Sequence, residues 1–293
     1  YAFSQCYQLK TVKFPIDSIL CSLEKYSFSE TSISNISLPS SLTIIGESSF
    51  FCCYYLKNIS LYEDSELVTI EKNAFDSTLI ESLFIPSKLK ELKEGWCSGI
   101  SKLNKIVVSK DNKLYKIEED KMMVGKSKEE DKEFTEIKFL FRDIEEVKIL
   151  KNIERLCSYS FSNCKHLKRV KIEEGSQLKE IEEYSFYSSS IENIEIPKNI
   201  TRVERSAFSY CHNLSKVTFG EGSSLSHICC EAFSFTSIKE INIPSEVTHI
   251  EESSFSNCDH LTSVTFSEDS KLLSIGKGAF NGTPLKSIFI PSK

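Results

Sequence analysis

Glycine is scarce in this chain: there are 10 in 293 residues, alongside seven Pro, two Met and a single Trp. So few glycines leave no Gly-rich phosphate loop. Neither a Gly-x-Ser-x-Gly elbow nor a His-Glu-x-x-His metal motif occurs. No apolar run approaches the roughly 20 residues needed to cross a bilayer, and no secretory leader is visible. Positive charge is not in excess either. The 36 Lys and Arg stand against 42 Asp and Glu, a net charge of −6, which argues against a nucleic-acid partner. There are only five histidines. His166 and His260 follow Cys164 and Cys258 by two residues at equivalent points of two repeats. Such pairs lie along a line, whereas a metal needs ligands converging on one point. The carboxylates recur at solvent-facing positions. The sequence therefore predicts no catalytic residue, no cofactor, no metal and no membrane span.

What the chain has is a repeat. A landmark recurs at Phe3, Phe28, Phe50, Phe75, Cys97, Phe139, Phe161, Phe186, Phe208, Phe233, Phe255 and Phe280, in alternating steps of 25 and 22 residues. One step of 42 breaks the alternation and implies a 17-residue insertion. The shorter repeat reads Ile191, Ile194, Ile196, Pro197, Ile200, Val203, then Ala207-Phe208. The longer reads Phe161-Ser-Asn-Cys164, Leu167, Val170, Ile172, Leu178, Ile181. Pairs such as Val170 and Ile172 alternate as a very short strand does, with the residue between them facing out. The proline that follows the short-repeat strand cannot donate to a further ladder bond, so the strand ends there. The second apolar pair precedes the landmark at spacings that predict a tight turn or 3₁₀ segment. No single repeat can bury its apolar face, so the repeats must stack.

The eleven cysteines are odd in number, and five fall on a 47-residue grid: Cys6, Cys53, Cys164, Cys211 and Cys258. Neighbours on that grid are two coils apart, about 10 Å at the usual strand spacing. A disulfide fails beyond about 7 Å, so the grid reads as a ladder of buried thiols.

The run Ile-x-Ile-Pro-x-x-Val/Ile, then Ala/Ser-Phe, then Ser-Asn-Cys-x-x-Leu resembles the BspA-like, or Treponema pallidum-type, leucine-rich repeat, and the resemblance covers essentially the whole chain. It implies a leucine-rich repeat solenoid over residues 1–293, an α/β-type fold built mostly from short β-strands with turns or 3₁₀ segments. The expected shape is a horseshoe or arc whose concave face is a continuous parallel sheet. It further implies a non-enzymatic cell-surface adhesion protein or antigen that contacts host cells or matrix, whose partner is a protein or glycan. An intracellular scaffold using the same surface is the alternative, because a thiol ladder also suits a reducing compartment. Tyr1-Ala2-Phe3 begins inside one repeat and Pro291-Ser292-Lys293 stops inside another, so the chain reads as a piece of a longer array.

Two departures stand close together. Gly95-Trp96-Cys97 replaces the usual Ala-Phe, and Trp96 is read as filling the core space that Phe leaves. The insertion is read as a hairpin at about residues 121–141, with strands 121–125 and 135–139 around a charged turn; it is either a tolerated insertion or a recognition loop. Five Asn-x-Ser/Thr sequons, at Asn35, Asn58, Asn199, Asn213 and Asn281, are either glycan acceptors or frame fillers. Counting along the frame places a central outward stripe on the strands. Within it Phe84 and Val107 form an apolar spot, and Lys105, Lys148, Arg169 and Lys171 a basic cluster beside it. These six are the candidate partner-binding residues, suited to an acidic or glycosaminoglycan-like ligand.

Overall fold

The computed structural model describes residues 1–291; Ser292 and Lys293 lie outside the described residues. The chain packs as two compact units. One holds Tyr1–Phe134 with Phe139–Arg142, and the other holds Thr135–Lys138 with the chain from Asp143 onward. Both are built mostly from short parallel strands, and no helix occurs among the described residues.

Each coil contributes two strands. In the first unit the wider strands Asn35–Ser37, Asn58–Ser60, Ser82–Ile85 and Lys105–Val108 stack in that order. In the second unit Glu146–Ile149, Arg169–Ile172, Asn193–Ile196 and Lys216–Phe219 stack likewise, and Glu240–Ile243 pairs with Ser263–Phe266. Along each strand burial alternates, as a period of two requires. Val170, Ile194 and Val217 are buried, and Lys171, Glu195 and Thr218 face out. Two-residue strands such as Arg202–Val203, His227–Ile228 and His249–Ile250 form a second, narrower parallel ladder in the same unit. The prolines end the short-coil strands as expected, and the Pro197 carbonyl accepts from Ile200 N–H at 3.1 Å to close the turn.

The landmark segments are turns rather than 3₁₀ helices, and their backbone explains why. Positions two before and two after the landmark sit in the left-handed region, as at Tyr184 (φ 56°) and Ser188 (φ 59°) around Phe186. The alternation aims every second N–H along the stack. Tyr184, Phe186 and Ser188 donate to the Arg205, Ala207 and Ser209 carbonyls at 3.0, 2.8 and 2.9 Å. The turns therefore stack through a third hydrogen-bonded ladder. A left-handed residue with a side chain costs about 1–2 kcal/mol. Three inter-coil bonds at about 0.5–1.5 kcal/mol each offset two such residues per turn.

The landmark rings stack behind this ladder. Phe3, Phe28, Phe50 and Phe75 lie 5.1, 5.7 and 5.9 Å apart in the first unit. Phe161, Phe186, Phe208, Phe233, Phe255 and Phe280 follow at 4.6 to 5.3 Å in the second. Those from Phe161 to Phe255 are fully buried, worth on the order of 1.5–3 kcal/mol each. Phe3 is 47% exposed.

All eleven cysteines are thiols. Cys53, Cys164, Cys211 and Cys258 are buried, while Cys6 is exposed. The grid has a physical reason. Three residues after the landmark, the coils alternate between a thiol and a hydroxyl. Thr31 meets Cys53, Ser189 meets Cys211 and Thr236 meets Cys258 at 3.4, 3.3 and 3.2 Å. Each of these thiols also donates to the landmark carbonyl of the preceding coil: Cys53 to Phe28, Cys211 to Phe186 and Cys258 to Phe233.

The irregular region differs in detail from its sequence reading. Segments 122–125 and 136–140 are strands, and a further strand, Tyr115–Glu118, pairs antiparallel with Met122–Gly125. The turn between that pair uses Glu119 and Asp120, both in the left-handed region. Phe139 lies on a strand, not in a landmark turn. It is fully buried, 5.7 Å from Trp96 and beneath the Arg142 guanidinium, 4.0 Å above its ring. Trp96 is buried at 3% exposure. It occupies the place before the landmark, held elsewhere by Ala or Ser, while Cys97 takes the landmark itself.

Candidate binding face

The outward stripe falls on the wider strands. In the first unit Phe84 and Val107 are register partners on neighbouring strands, and Lys105 pairs with Ser82 in the same ladder. Val107 is 47% exposed and Phe84 is half-buried, so the apolar spot is smaller than the alternation predicts. In the second unit Lys148 and Lys171 are register partners, as are Glu146 and Arg169. All three cations of this unit are exposed, and two meet carboxylates. Lys148 donates to Glu173 at 2.7 Å, and Arg169 forms an ion pair with Glu146. The Lys148 ammonium, with the Lys151 N–H, holds the Glu173 carboxyl below the usual range. The positive charge is thus locally compensated, which weakens the case for an acidic ligand on this unit.

Glu146 and Glu173 were absent from the sequence reading. The signal was present: Glu146 shares its frame position with Arg169, so lateral stacking makes them neighbours.

The same face carries two of the sequon asparagines. Asn58 Nδ2 donates to Asn35 Oδ1 at 2.6 Å, and both side chains are exposed.

Two grooves open where the wider strands of the second unit end. The cause is loop length. Ile172 to Leu178 in the long coil spans two more residues than Ile196 to Ile200 in the short one. The first groove, about 950 Å³, lies over the Pro197 loop between loop 173–176 and Gly220-Glu221, and Arg169 and Lys171 line it. The second, about 690 Å³, lies over the Pro244 loop against loop 220–224.

On the narrow ladder, the His227 and His249 rings stack at 4.6 Å and 1°. Burial, Arg202 and His249 hold the His227 pKa below its ordinary value. Arg202 pairs with Glu204 at 2.9 Å and Glu251 at 3.6 Å, and donates to Cys229 Sγ. Among the described residues, no group of three or more His, Cys, Asp or Glu could hold a metal ion, and no helix is long and apolar enough to cross a membrane.

The model of the BspA type leucine rich repeat region matches six copies, over residues 1–121, 132–258 and 179–293. The chain belongs to the BspA-type leucine-rich repeat family. Solved structures of low identity share the fold. The pneumococcal vaccine antigen PcpA matches at 22% identity and a TM-score of 0.69, covering 95% of this chain and 64% of that one. A leucine-rich cell surface protein from Faecalibacterium prausnitzii matches at 20% and 0.64, covering 91% and 75%. A leucine-rich repeat protein from Eubacterium ventriosum matches at 20% and 0.64, covering 87% and 84%. This BspA-type chain therefore spans less than two thirds of the PcpA chain. The comparison with curated proteins found no match.

Proposed function

We propose that this BspA-type chain is a non-enzymatic binding module of a cell-surface or secreted protein, which adheres to a protein or glycan on another cell or its matrix. The observation that carries the reading is the ladder of outward side chains on the wider strands, held in register coil after coil by backbone bonds. Such a face displays many side chains at fixed spacing at little ordering cost, which suits extended ligands. The family, and neighbours described as a vaccine antigen and a cell surface protein, support a surface location. In the first unit Phe84, Val107 and Lys105 are the proposed contacts; in the second they are Lys148, Arg169 and Lys171. Antibody against the folded chain is expected to stain intact cells of the source organism. Staining only after permeabilisation overturns the reading.

A second reading, an intracellular scaffold, is favoured by the eleven thiols. Recovery of the chain outside the cell with glycans on Asn199 or Asn213 excludes it.

A further inference from the structure

The two grooves are one site repeated. Adding one 47-residue period to Lys171, Glu195 and Pro197 gives Thr218, Asn242 and Pro244, and each member of these pairs lines its own groove. Glu221 lines both, so a single loop is the wall between them. The spacing is two coils, about 10 Å. A ligand that fills both must be a polymer whose chemical repeat matches that step.

The lining chemistry narrows the polymer. In the first groove the cations Arg169, Lys171 and Lys198 face the carboxylates of Glu173, Glu174, Glu195 and Glu221. The second has Glu221 and Glu246 and no Lys or Arg, and Lys271 Nζ already pairs with Glu246 at 2.6 Å. A polyanion gains nothing on passing from one groove to the next. A peptide that binds by strand addition needs an unpaired strand edge to join. The strand under the first groove, Asn193–Ile196, is already flanked by Arg169–Ile172 and Lys216–Phe219. What the two walls share is carboxylate, amide and hydroxyl, with Pro197 or Pro244 as a small apolar floor. Carboxylates accept from two hydroxyls at once, and amides both donate and accept. That set suits a sugar ring, polar at its rim and apolar on its C–H faces.

We propose that the grooves form a repeating subsite for a linear, uncharged, β-linked glycan, one disaccharide step per groove, with Glu195 and Asn242 as equivalent hydroxyl-binding residues. This rests on the adhesive reading and names its ligand class. Both residues are exposed, so their removal spares the core.

The test titrates the whole chain by calorimetry with cello- and chito-oligosaccharides of two, four and six sugars, with a heparin hexasaccharide as the anionic comparison. A hexasaccharide that bridges both grooves is expected to bind at least about tenfold tighter than the disaccharide. The double variant Glu195→Ala/Asn242→Ala, with an unchanged melting midpoint, is expected to lose that gain. Equal affinity at all lengths, undiminished binding by the double variant, binding of heparin alone, or binding of no saccharide each overturns the proposal. Adhesion of the same proteins to host cells is scored in parallel. Wild-type adhesion without saccharide binding rejects the glycan site and leaves the adhesive function standing. Saccharide binding without adhesion does the reverse.

Discussion

The Cys211 thiol reaches across one coil and donates to the Phe186 carbonyl oxygen at 3.0 Å. That carbonyl belongs to a landmark residue whose side chain is fully buried. Cys211→Ser keeps a donor of the kind that Ser189 and Thr236 supply on alternate coils, so it is expected to cost under about 1 kcal/mol. Cys211→Ala removes this donor, leaving the carbonyl with the Ser189 N–H at 2.9 Å, and is expected to cost about 1–2 kcal/mol from the lost bond and the lost sulfur volume. Urea denaturation of both variants measures the difference. Equal losses would show that the thiol acts only by filling space.

Burial pushes the Cys211 thiol from its ordinary 9.0 up to about 12, and raises Cys53 and Cys258 in the same direction. A thiol whose folded pKa lies above its unfolded value binds its proton more tightly in the native state. Its contribution is whole below pH 9 and is lost as pH rises toward 12. Stability in urea is expected to decline through that window, and less steeply in Cys211→Ser. Iodoacetamide at pH 8 is expected to modify the exposed Cys6 and Cys21 in the native protein and to spare Cys53, Cys211 and Cys258. Rapid native modification of Cys211 would contradict its burial.

The frame was legible because its signals are local and repeated: Phe at all landmarks but Cys97, apolar alternation along the strands, Pro after most short-coil strands. The thiol ladder followed from spacing alone. The rest failed where meaning depends on the neighbouring coil. Glu173 lies 25 residues from Lys148, and only stacking makes them partners. The Glu119-Asp120 turn has no Gly or Asn to announce two left-handed residues, so nothing local marks the Tyr115–Glu118 strand that precedes it. Phe139 kept the landmark residue type but not its backbone. The grooves were implicit in the alternation of 25 and 22, yet only coordinates show that the two extra residues rise beside a shorter loop.

Phe208 stacks between Phe186 and Phe233 at 5.0 and 5.3 Å. Phe208→Ala is expected to cost roughly 3–5 kcal/mol by leaving a cavity between two fixed rings. Chemical denaturation that shows less than about 1 kcal/mol would mean that the ring stack collapses to fill the gap.

Ser27, Ser49, Ser185 and Ser254 are buried just before the landmark, and their hydroxyls have no hydrogen-bond partner. The equivalent places on other coils hold Ala74, Ala207, Ala232 and Ala279, all buried. Ser185→Ala is therefore expected to stabilise the protein by about 1 kcal/mol, the desolvation cost of an unmet hydroxyl. A raised urea midpoint checks it, and a lowered one would point to a partner that forms only transiently.

Gly99 stands at φ +66°, and a Cβ there would come within 2.6 Å of the Ser77 N and closer still to Asp76 Oδ1. Gly175 has φ +73° but open space around it. Gly175→Ala is expected to cost about 1–2 kcal/mol from backbone strain alone. Gly99→Ala is expected to cost more, because the neighbouring coil must also move. Thermal melts of the pair give the order.

The alternation of thiol and hydroxyl down the stack, shared with the alternation of tall and low loops, gives the array a parity. Removing one coil would set Cys against Cys or Thr against Thr, and would close a groove by bringing two tall loops together. Removing two restores every contact. Arrays of this kind should therefore grow and shrink in steps of two coils, so that the heritable unit is the 47-residue pair and lengths in related chains fall on even counts.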